Sequence, residues 1–413
     1  MIVLGGGPAG MMAAICAARR GVDVTLLEPN ERLGKKLNIT GKGRCNVTND
    51  AGRDELIAHV TRNGKFLYSA FSRWDGRDTM RFFEALGVPL KVERGKRVFP
   101  VSDRSFDISG ALERELRRLQ VRLIRDRALR LWIEGGAVRG VEGEKDRYSA
   151  GAVIIATGGV SYPATGSTGD GYRLAAEAGH TLIPTRPSLV PLESDDPCCG
   201  EMQGLALKNV VLSVKNQKNK TVFSEQGELL FTHFGVSGPL VLSASAHMRE
   251  FEKTAYRLSI DLKSGLDEQK LDARLLRDFS ERANQSLSNV LGGLLPASMV
   301  PVMLRKAELD GTIKANSVTR EQRRRLLQWL KHFELSITGT RPVAEAIVTS
   351  GGVKTGEIDP STMASKLVHG LYFAGEVIDV DAYTGGFNLQ IAWATGKAAG
   401  EASADAILQS ETI

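Results

Sequence analysis

The chain has 413 residues, of which 42% are hydrophobic, and it carries 54 Lys and Arg against 48 Asp and Glu. This length and composition predict two or three globular domains with sizeable hydrophobic cores. No apolar stretch approaches the roughly 18 residues that a membrane span needs, and no charged segment with an apolar stretch and a cleavage site opens the chain. We therefore expect a soluble, cytoplasmic protein with no membrane association.

Positive charge is concentrated between residues 19 and 130, which hold 25 Lys and Arg against 15 Asp and Glu. Two interpretations stay open for this segment. It is either a solvated surface with some cations on cofactor phosphates, or a surface for RNA. Charge alone favours the first, because a nucleic-acid site needs the cations to cluster in three dimensions.

The first elements along the chain are a strand at Met1 to Leu4, a glycine turn, a helix and a second strand that ends at Glu28. In this order, Gly5 and Gly7 allow a tight turn whose backbone N–H groups approach a pyrophosphate. Gly10 lets the helix pack close to the strand. The pyrophosphate would lie at the helix N-terminus, where the unpaired amides and the helix dipole favour negative charge. Glu28 can accept hydrogen bonds from an adenosine ribose and would repel a 2′-phosphate, which favours FAD or NAD over NADP.

Further elements follow from hydrophobic periodicity and from glycine and proline positions. The predicted elements are helices at 78–87 and 107–119, strands within 121–148 joined by a hairpin at Gly135-Gly136, and a buried strand at 151–156 that runs into Thr157-Gly158-Gly159. Next come strands at 205–215, 220–224, 228–232 and 255–262, helices within 267–330, strand character near 340–347, and an apolar strand that ends at Gly375.

This order predicts that the two ends of the chain build one nucleotide-binding domain around two inserted modules. We expect a cofactor domain at 1–190 and 346–413, a β-rich insertion at 191–265 and 331–345, and a helical insertion at 266–330. The four cysteines, Cys16, Cys45, Cys198 and Cys199, show no Cys-x-x-Cys motif and no metal-ligand spacing with histidine. Stabilising disulfide bonds and a structural metal site are therefore not expected.

The segment 34–49 follows the second strand and combines cations, glycines and hydrogen-bonding side chains. Its cations are Lys35, Lys36, Lys42 and Arg44, its glycines are Gly34, Gly41 and Gly43, and its polar groups include Thr40, Asn46 and Thr48. Such a loop suits a long anionic cofactor lying over it. An exposed flexible loop is the alternative, but the position directly after Glu28 favours cofactor contact.

The segment 375–396 contains a glycine-rich turn that opens a helix. The N-terminal amides of this helix could face the pyrimidine oxygens of a flavin, where negative charge develops on reduction. Alone, the pattern would also fit an ordinary helix start packed in a core.

Taken together, these motifs resemble the BaiN/RdsA family of NAD(P)/FAD-dependent oxidoreductases, which also includes an aminoacetone oxidase-like branch. The resemblance rests on the opening Gly-Gly-Gly-Pro-Ala-Gly, Gly34 to Asn49, Arg97 to Pro100, Ala156 to Gly159, Phe231 to Pro239, Val348 to Val353 and Gly370 to Gly396. It implies an α/β protein: a glutathione-reductase-like FAD-binding Rossmann domain that carries a β-barrel-like and a helical insertion. Ala382 and Phe387 depart from the family pattern, where glycine and tyrosine are common.

Transferred by motif, the resemblance implies non-covalent FAD, with the pyrophosphate at Gly5 to Gly10, the ribose at Glu28 and the flavin end at Gly375, Glu376 and Asn388 to Gln390. The full set of predicted cofactor contacts is Gly5, Gly7, Pro8, Ala9, Gly10, Glu28, Lys36, Thr40, Gly41, Gly43, Arg44, Cys45, Asn46, Ala128, Thr157, Gly158, Gly159, Gly375, Glu376, Asn388, Leu389 and Gln390.

No second G-x-G-x-x-G motif follows a strand, so NAD(P)H is expected to bind transiently as electron donor. Reduction of an activated C=C bond also needs a proton donor, for which Cys45, Tyr383 and His233 are the candidates. Three activities stay open: reduction of an enone-like small molecule, reduction of uridine to dihydrouridine in ribosomal RNA, and oxidation of an amine by oxygen. A flavin-binding sensor without turnover is the non-enzymatic alternative.

Overall fold

The computed structural model describes residues 1–249 and 251–411, without the side chain of residue 411. Two compact units are present. The first comprises Met1–Ser188 and Pro342–Ile413, and the second comprises Leu189–Arg341. The predicted bounds of the cofactor domain and of the β-rich and helical insertions stay predictions.

The first part of the first unit contains β1 (Ile2–Leu4), α1 (Pro8–Ala18), β2 (Thr25–Leu27), α2 (Lys35–Ile39), β3 (Thr48–Asn49), α3 (Arg53–Ala58), β4 (Val60–Arg62), α4 (Tyr68–Arg73), α5 (Gly76–Ala85), β5 (Leu90–Glu93), β6 (Arg97–Pro100), α6 (Ser105–Arg118), β7 (Arg122–Ile124), β8 (Ala128–Glu134), β9 (Ala137–Gly143), β10 (Arg147–Ser149), β11 (Val153–Ile155), α7 (Asp170–Glu177) and β12 (Leu182–Ser188). The second unit contains β13 (Leu192–Glu193), α8 (Cys198–Glu201), β14 (Ala206–Asn216), β15 (Thr221–Thr232), β16 (Gly235–Ser237), α9 (Pro239–Ser245), β17 (Tyr256–Asp261), α10 (Glu268–Glu281), α11 (Leu287–Leu291), α12 (Met299–Lys306), α13 (Arg320–Lys331), β18 (Phe333–Ile337) and β19 (Gly339–Thr340). The chain then returns to the first unit with β20 (Val348–Val353), β21 (Leu371–Phe373), β22 (Asp381–Ala382) and α14 (Phe387–Glu411).

A parallel sheet with the order β21-β11-β1-β2-β7 lies at the centre of the first unit. Ile2 of β1 lies opposite Thr25 of β2 on one side and Val153 of β11 on the other. The strands on both sides of β1 are parallel to it; β2 is reached through helix α1, whereas β11 follows the antiparallel strands β8, β9 and β10. A parallel sheet whose first two strands are joined by a helix is the arrangement of a Rossmann fold. The predicted α/β class and the return of the chain to this sheet are therefore confirmed.

The first and last helices pack closely because small residues line their contact. A Cβ atom on Gly396 would collide with the backbone oxygen of Ala9, and one on Gly400 would collide with that of Ala13. Ala9 and Ala13 are themselves buried on α1. This contact ties the start of the chain to its final helix across the whole intervening sequence.

The second unit is built on an antiparallel sheet with the order β18-β17-β14-β15-β16-β13-β19. Buried leucines from its strands, such as Leu212 and Leu258, share one hydrophobic core with Leu275 of α10 and Leu330 of α13. Strands and helices of this unit therefore cover each other.

Two sequence predictions need correction. The strands expected at 220–224 and 228–232 are one strand, β15, because Gly227 keeps its place in the ladder opposite Val210. The strand character expected near 340–347 is wrong over Val343–Glu345, which form a 3-10 turn closed by the Glu345 N–H on the Pro342 carbonyl. Pro342 fixes its own φ near the helical value and so favours a turn at this point.

Candidate functional site

The glycine turn between β1 and α1 leaves no room for side chains. Gly5 has a φ of 99°, and a Cβ atom there would lie 2.6 Å from the Ala156 carbonyl oxygen. A Cβ atom on Gly10 would collide with the Gly5 carbonyl oxygen, whereas the space next to Gly7 is open. Helix α1 begins at Pro8 with Gly7 as its N-cap residue and no side-chain cap. The turn therefore presents bare backbone N–H groups at a helix N-terminus, as a diphosphate requires.

Glu28 stands at the end of β2 and holds this turn. Its Oε2 accepts the Gly6 N–H at 2.7 Å, and its Oε1 accepts the backbone and side-chain N–H groups of Asn30 at 2.8 and 2.7 Å. The carboxylate is partly exposed. It can therefore accept further hydrogen bonds from a ribose while it fixes the turn.

An open cleft begins at this carboxylate. Its lining includes Gly5, Glu28, Ala128 and Thr157, which were all predicted to contact the cofactor. The Thr157 hydroxyl is buried and has no hydrogen-bond partner among the described residues. A cleft with an unpaired hydroxyl, a carboxylate and a bare glycine turn fits the adenosine half of FAD.

One wall of the same cleft is held by the ion pair between Arg127 and Asp170, whose two contacts are both 2.9 Å. Burial alone would raise the pKa of Asp170, but hydrogen bonds from Arg127 and from the Thr168 hydroxyl lower it. Asp170 is also the first residue of α7, where its negative charge interacts favourably with the positive end of the helix dipole.

Lys36 connects the loop 34–49 to the carboxyl end of β21. Its Nζ donates to Glu376 Oε2 at 2.8 Å and to the Ser161 hydroxyl at 2.6 Å. Glu376 Oε1 accepts the Thr349 N–H at 2.8 Å and the Ser161 hydroxyl at 3.2 Å. Gly159 lies against this network, since a Cβ atom there would be 2.9 Å from Glu376 Oε1. Ser161 belongs to none of the motifs found in the sequence, and Thr349 lies within the motif Val348 to Val353 but was not predicted to be a site residue.

The backbone between Gly41 and Cys45 is unusual because four of its residues have positive φ. Gly41, Lys42, Gly43 and Cys45 have φ values of 58°, 59°, 83° and 60°. The Cys45 N–H closes the loop on the Thr40 carbonyl at 3.0 Å. Arg44 has a φ of −91°, so Gly43, Arg44 and Cys45 alternate between left- and right-handed conformations. Such alternation curves the main chain into a concave surface that can face an electron-rich group.

Asn46 joins this loop to the glycine turn before α14. With the amide assigned so that its nitrogen faces the carbonyls of Val98 and Thr48, the side chain donates to both of them and accepts the Gly386 N–H at 3.0 Å. Asn49 adds a second link by donating to the Gly385 carbonyl at 3.1 Å. Two of the predicted cofactor segments, far apart in sequence, are therefore hydrogen-bonded to each other.

Two predicted flavin contacts have side chains engaged within the protein. Asn388 clamps the preceding turn, since its Oδ1 accepts the Ala382 N–H and its Nδ2 donates to the Ala382 carbonyl. Gln390 is buried and bonds to Thr48, Thr79 and the Trp74 carbonyl. Leu389 is partly exposed between them. A cofactor could therefore be contacted by the backbone at the start of this helix, because both polar side chains already have partners within the protein.

Arg44 also points to partners within the protein. It pairs with Glu93 at 2.9 Å and Asp103 at 3.2 Å, and its guanidinium lies over the Phe99 ring at 4.0 Å. Hydrogen bonds from Lys91 and Arg44 lower the pKa of the exposed Asp103 carboxyl. These contacts indicate that Arg44 stabilises the loop 34–49.

The three candidate proton donors have different surroundings. Cys45 is fully buried, and this burial raises the pKa of its thiol to about 12. Tyr383 is partly exposed in the turn before α14. His233 belongs to the second unit, where it is exposed and packs edge-on against Phe234. Their catalytic roles stay predictions.

His59 lies beside Tyr383 and was not predicted from the sequence. Its Nδ1 is 2.7 Å from the Glu55 carbonyl oxygen, its ring stacks on Phe387 at 4.2 Å, and its carbonyl accepts the Tyr383 N–H at 3.0 Å. A lone histidine at a helix end gives no motif, so only the fold brings it here. The Nδ1 contact requires a hydrogen on that nitrogen, which leaves Nε2 as the acceptor of the neutral ring.

Within residues 1–249 and 251–411, no group of three His, Cys, Asp or Glu side chains is placed to hold a metal ion. The same part of the chain contains no helix long and apolar enough to cross a membrane.

Comparison with known proteins identifies the family. The model of the HI0933-like protein Rossmann domain matches residues 1–402. The chain belongs to this family. It is 33% identical over 410 residues to the 3-dehydro-bile acid delta(4,6)-reductase of Clostridium scindens, with 98% of each chain covered. It is also 33% identical over 399 residues to the ribosomal RNA dihydrouridine synthase of Escherichia coli K12, with 95% of each chain covered.

Among solved structures, the 3-ketosteroid-delta4-(5alpha)-dehydrogenase from Rhodococcus jostii RHA1 has a TM-score of 0.51 at 15% identity, covering 98% of this chain and 96% of that one. This likeness shows a shared fold. The predicted family and the FAD-binding Rossmann fold are thus confirmed, and the protein is an FAD-dependent oxidoreductase.

Proposed function

We propose that the protein is an NAD(P)H-driven reductase that saturates an activated C=C bond in an enone-like small molecule, and that it works in the cytoplasm. The observation that carries this proposal is the 33% identity along 98% of both chains to a protein named for reduction of a bile acid. The cleft, the glycine turn and the loop 34–49 fit the FAD that such a reaction uses. Bound FAD supplies hydride chemistry, and the chain supplies binding, orientation and electrostatics.

In this proposal each segment of the site has one task. The turn Gly5 to Gly10 and the N-terminus of α1 hold the diphosphate, and Glu28 binds the ribose. Lys36 and Glu376 fix the loop 34–49 against the end of β21. The backbone at the start of α14 faces the pyrimidine ring and stabilises negative charge there.

Tyr383 is the proposed source of the proton that the second carbon of the C=C bond requires. Its partial exposure allows contact with a substrate, whereas the burial of Cys45 and the raised pKa of its thiol favour a packing role for that residue. No second dinucleotide fingerprint follows a strand in the sequence. NAD(P)H therefore binds transiently and leaves before the acceptor enters.

The test is anaerobic stopped-flow mixing of the FAD-loaded protein with NADH and with NADPH, followed at about 450 nm, where the oxidised cofactor absorbs. Rapid bleaching, followed by reoxidation on addition of a conjugated enone with loss of its C=C bond, is expected. Tyr383→Phe should slow reoxidation and leave bleaching unchanged. Failure of both nicotinamides to bleach the protein would refute the proposal, and bleaching by an amine with peroxide release would replace it with an oxidase.

A second candidate function is reduction of uridine in ribosomal RNA, which is favoured by the identity to the Escherichia coli protein and by the excess positive charge of residues 19–130. Under this alternative, binding of RNA would weaken steeply with salt. Mass spectrometry of ribosomal RNA nucleosides from a deletion strain separates the two candidates. Loss of one dihydrouridine in that strain would favour the RNA substrate, and unchanged dihydrouridine would exclude it.

A further inference from the structure

Three acidic residues occupy the segment between β21 and α14: Glu376, Asp379 and Asp381. Glu376 is paired with Lys36 at 2.8 Å, and Asp379 is paired with Arg62 at 2.7 Å. In the part of the chain that the structure describes, no lysine, arginine or histidine forms an ion pair with Asp381. Only this third carboxylate lacks a compensating cation.

The surroundings of Asp381 are buried and neutral. Its side chain is about 1% exposed, and its Oδ2 accepts hydroxyl hydrogens from Thr61 and Ser188, both at 2.8 Å. Its Oδ1 is buried and has no hydrogen-bond partner among the described residues. Two hydroxyl groups orient a carboxyl group but bring no positive charge to it, and any charge in such a place acts over a longer range than one in water.

Asp381 is directly connected to the start of α14. It is the first residue of β22, and the next residue, Ala382, exchanges hydrogen bonds with Asn388 in the first turn of that helix at 2.9 and 2.7 Å. The proposed function places the flavin ring at this helix start. The carboxylate therefore lies on the side of the site where negative charge builds up on reduction.

We infer that Asp381 sets the reduction potential of the bound flavin through its uncompensated charge. This inference rests on the proposed function for the position of the flavin ring. A fixed negative charge opposes reduction, so it lowers the potential and makes the reduced cofactor a stronger hydride donor toward a C=C bond. Asp381 acts through its field and touches neither substrate nor reacting atoms, so it is a positioning residue.

The test compares midpoint potentials of FAD-loaded variants, measured by anaerobic equilibration with a reference dye. Asp381→Asn keeps the shape and loses the charge. The expected result is an equilibrium constant for reduction about tenfold larger, which is a positive shift of about 30 mV for a two-electron couple. Asp381→Ser is a second neutral variant and should shift the potential in the same direction. The control is Arg62→Gln with Asp379→Asn, which removes a neutral pair from the same segment and should change the constant less than about threefold.

An unchanged potential in both neutral variants with full FAD content would overturn the inference. An equal shift in the control would overturn it too, because the effect would then come from loosening of the segment. Loss of FAD from both neutral variants would make the carboxylate a binding group and equally overturn it. The dye supplies the electrons, so failure of NAD(P)H to reduce the wild-type protein would refute the proposed function and leave this comparison valid.

Discussion

Removal of the Lys36 ammonium is expected to weaken FAD binding by breaking its pair with Glu376. The two side chains are 21% and 20% exposed, and 2.8 Å separates Nζ from Oε2. Coulomb attraction at this distance is about 6 kcal/mol for an effective dielectric constant of about 20, and most of it is offset by desolvation of the two ions. We expect a net loss of about 1.5–2 kcal/mol in the free energy of FAD binding. The reason is that Glu376 Oε2 loses its hydrogen-bond donor, while Oε1 keeps its hydrogen bonds from Thr349 and Ser161.

Without this ion pair, part of the FAD binding free energy is used to hold the loop 34–49 against β21. Lys36→Met is expected to raise the FAD dissociation constant about ten- to thirtyfold, and Glu376→Gln to raise it by a similar factor. Because both changes break one contact, the double variant should be weaker than either single variant by less than about threefold. Titration of the apoprotein with FAD, followed by flavin fluorescence, measures all four constants.

The neighbouring Lys35 is exposed and provides a matched control. Lys35→Met removes the same charge from the same helix and should change the dissociation constant less than about threefold. If the factors for Lys36→Met and Glu376→Gln simply multiply in the double variant, the two residues do not act as a pair and the reasoning is refuted.

Three further predictions concern stability and reactivity. Hydrogen bonds from Arg118 and Arg19 lower the pKa of the buried Glu115 carboxyl to about 2, so its contribution to stability is complete above the ordinary pKa of 4.5 and is lost as pH falls toward 2. Since both arginines are exposed, Glu115→Gln should lower the free energy of unfolding by about 1–2 kcal/mol at pH 7. Chemical unfolding measures this loss, and the same difference between wild type and variant at pH 7 and at pH 2.5 would contradict the prediction. Gly400→Ala forces a Cβ atom into the Ala13 backbone and should lower the melting temperature by several degrees. Ala402→Gly, two residues further along α14, should cost about 1 kcal/mol or less of stability. Equal shifts in melting temperature for the two variants would contradict the packing argument. Cys45, whose thiol pKa is raised to about 12 by burial, should resist iodoacetamide at pH 8 in the native protein and react after denaturation, and fast native labelling at Cys45 in mass spectrometry would show that the loop opens.

The sequence was most informative where the chemistry is local. The strand, the glycine turn and the helix that begins at Pro8 are contiguous, so their geometry follows from glycine and proline positions alone. Glu28 could be assigned to the end of β2, but its bond to the Gly6 N–H could not be deduced, since that bond depends on how two strands meet.

The predictions were least informative for residues whose partners are distant in sequence. Arg44 is a residue type that often binds phosphate. Its ion pairs with Glu93 and Asp103 form only when the hairpin of β5 and β6 folds beside the loop, so the sequence alone does not show them. His59 and Ser161 belong to no motif and reach the site through tertiary structure. The same limit applies to Asp379 and Asp381, whose different charge environments depend on which side chains of residues 61–62 and 188 they meet.

The close contact between α1 and α14 can form only late in the synthesis of the chain, because the two helices are far apart in sequence. Ala13 leaves the ribosome early, but its packing partner Gly400 follows roughly 390 residues later, which takes about 20–80 s at synthesis rates of about 5–20 residues/s. Residues 189–341 are complete before α14 is synthesised. Until β21 and α14 have been made, the parallel sheet of the first unit lacks its edge strand and helix α1 lacks its packing partner.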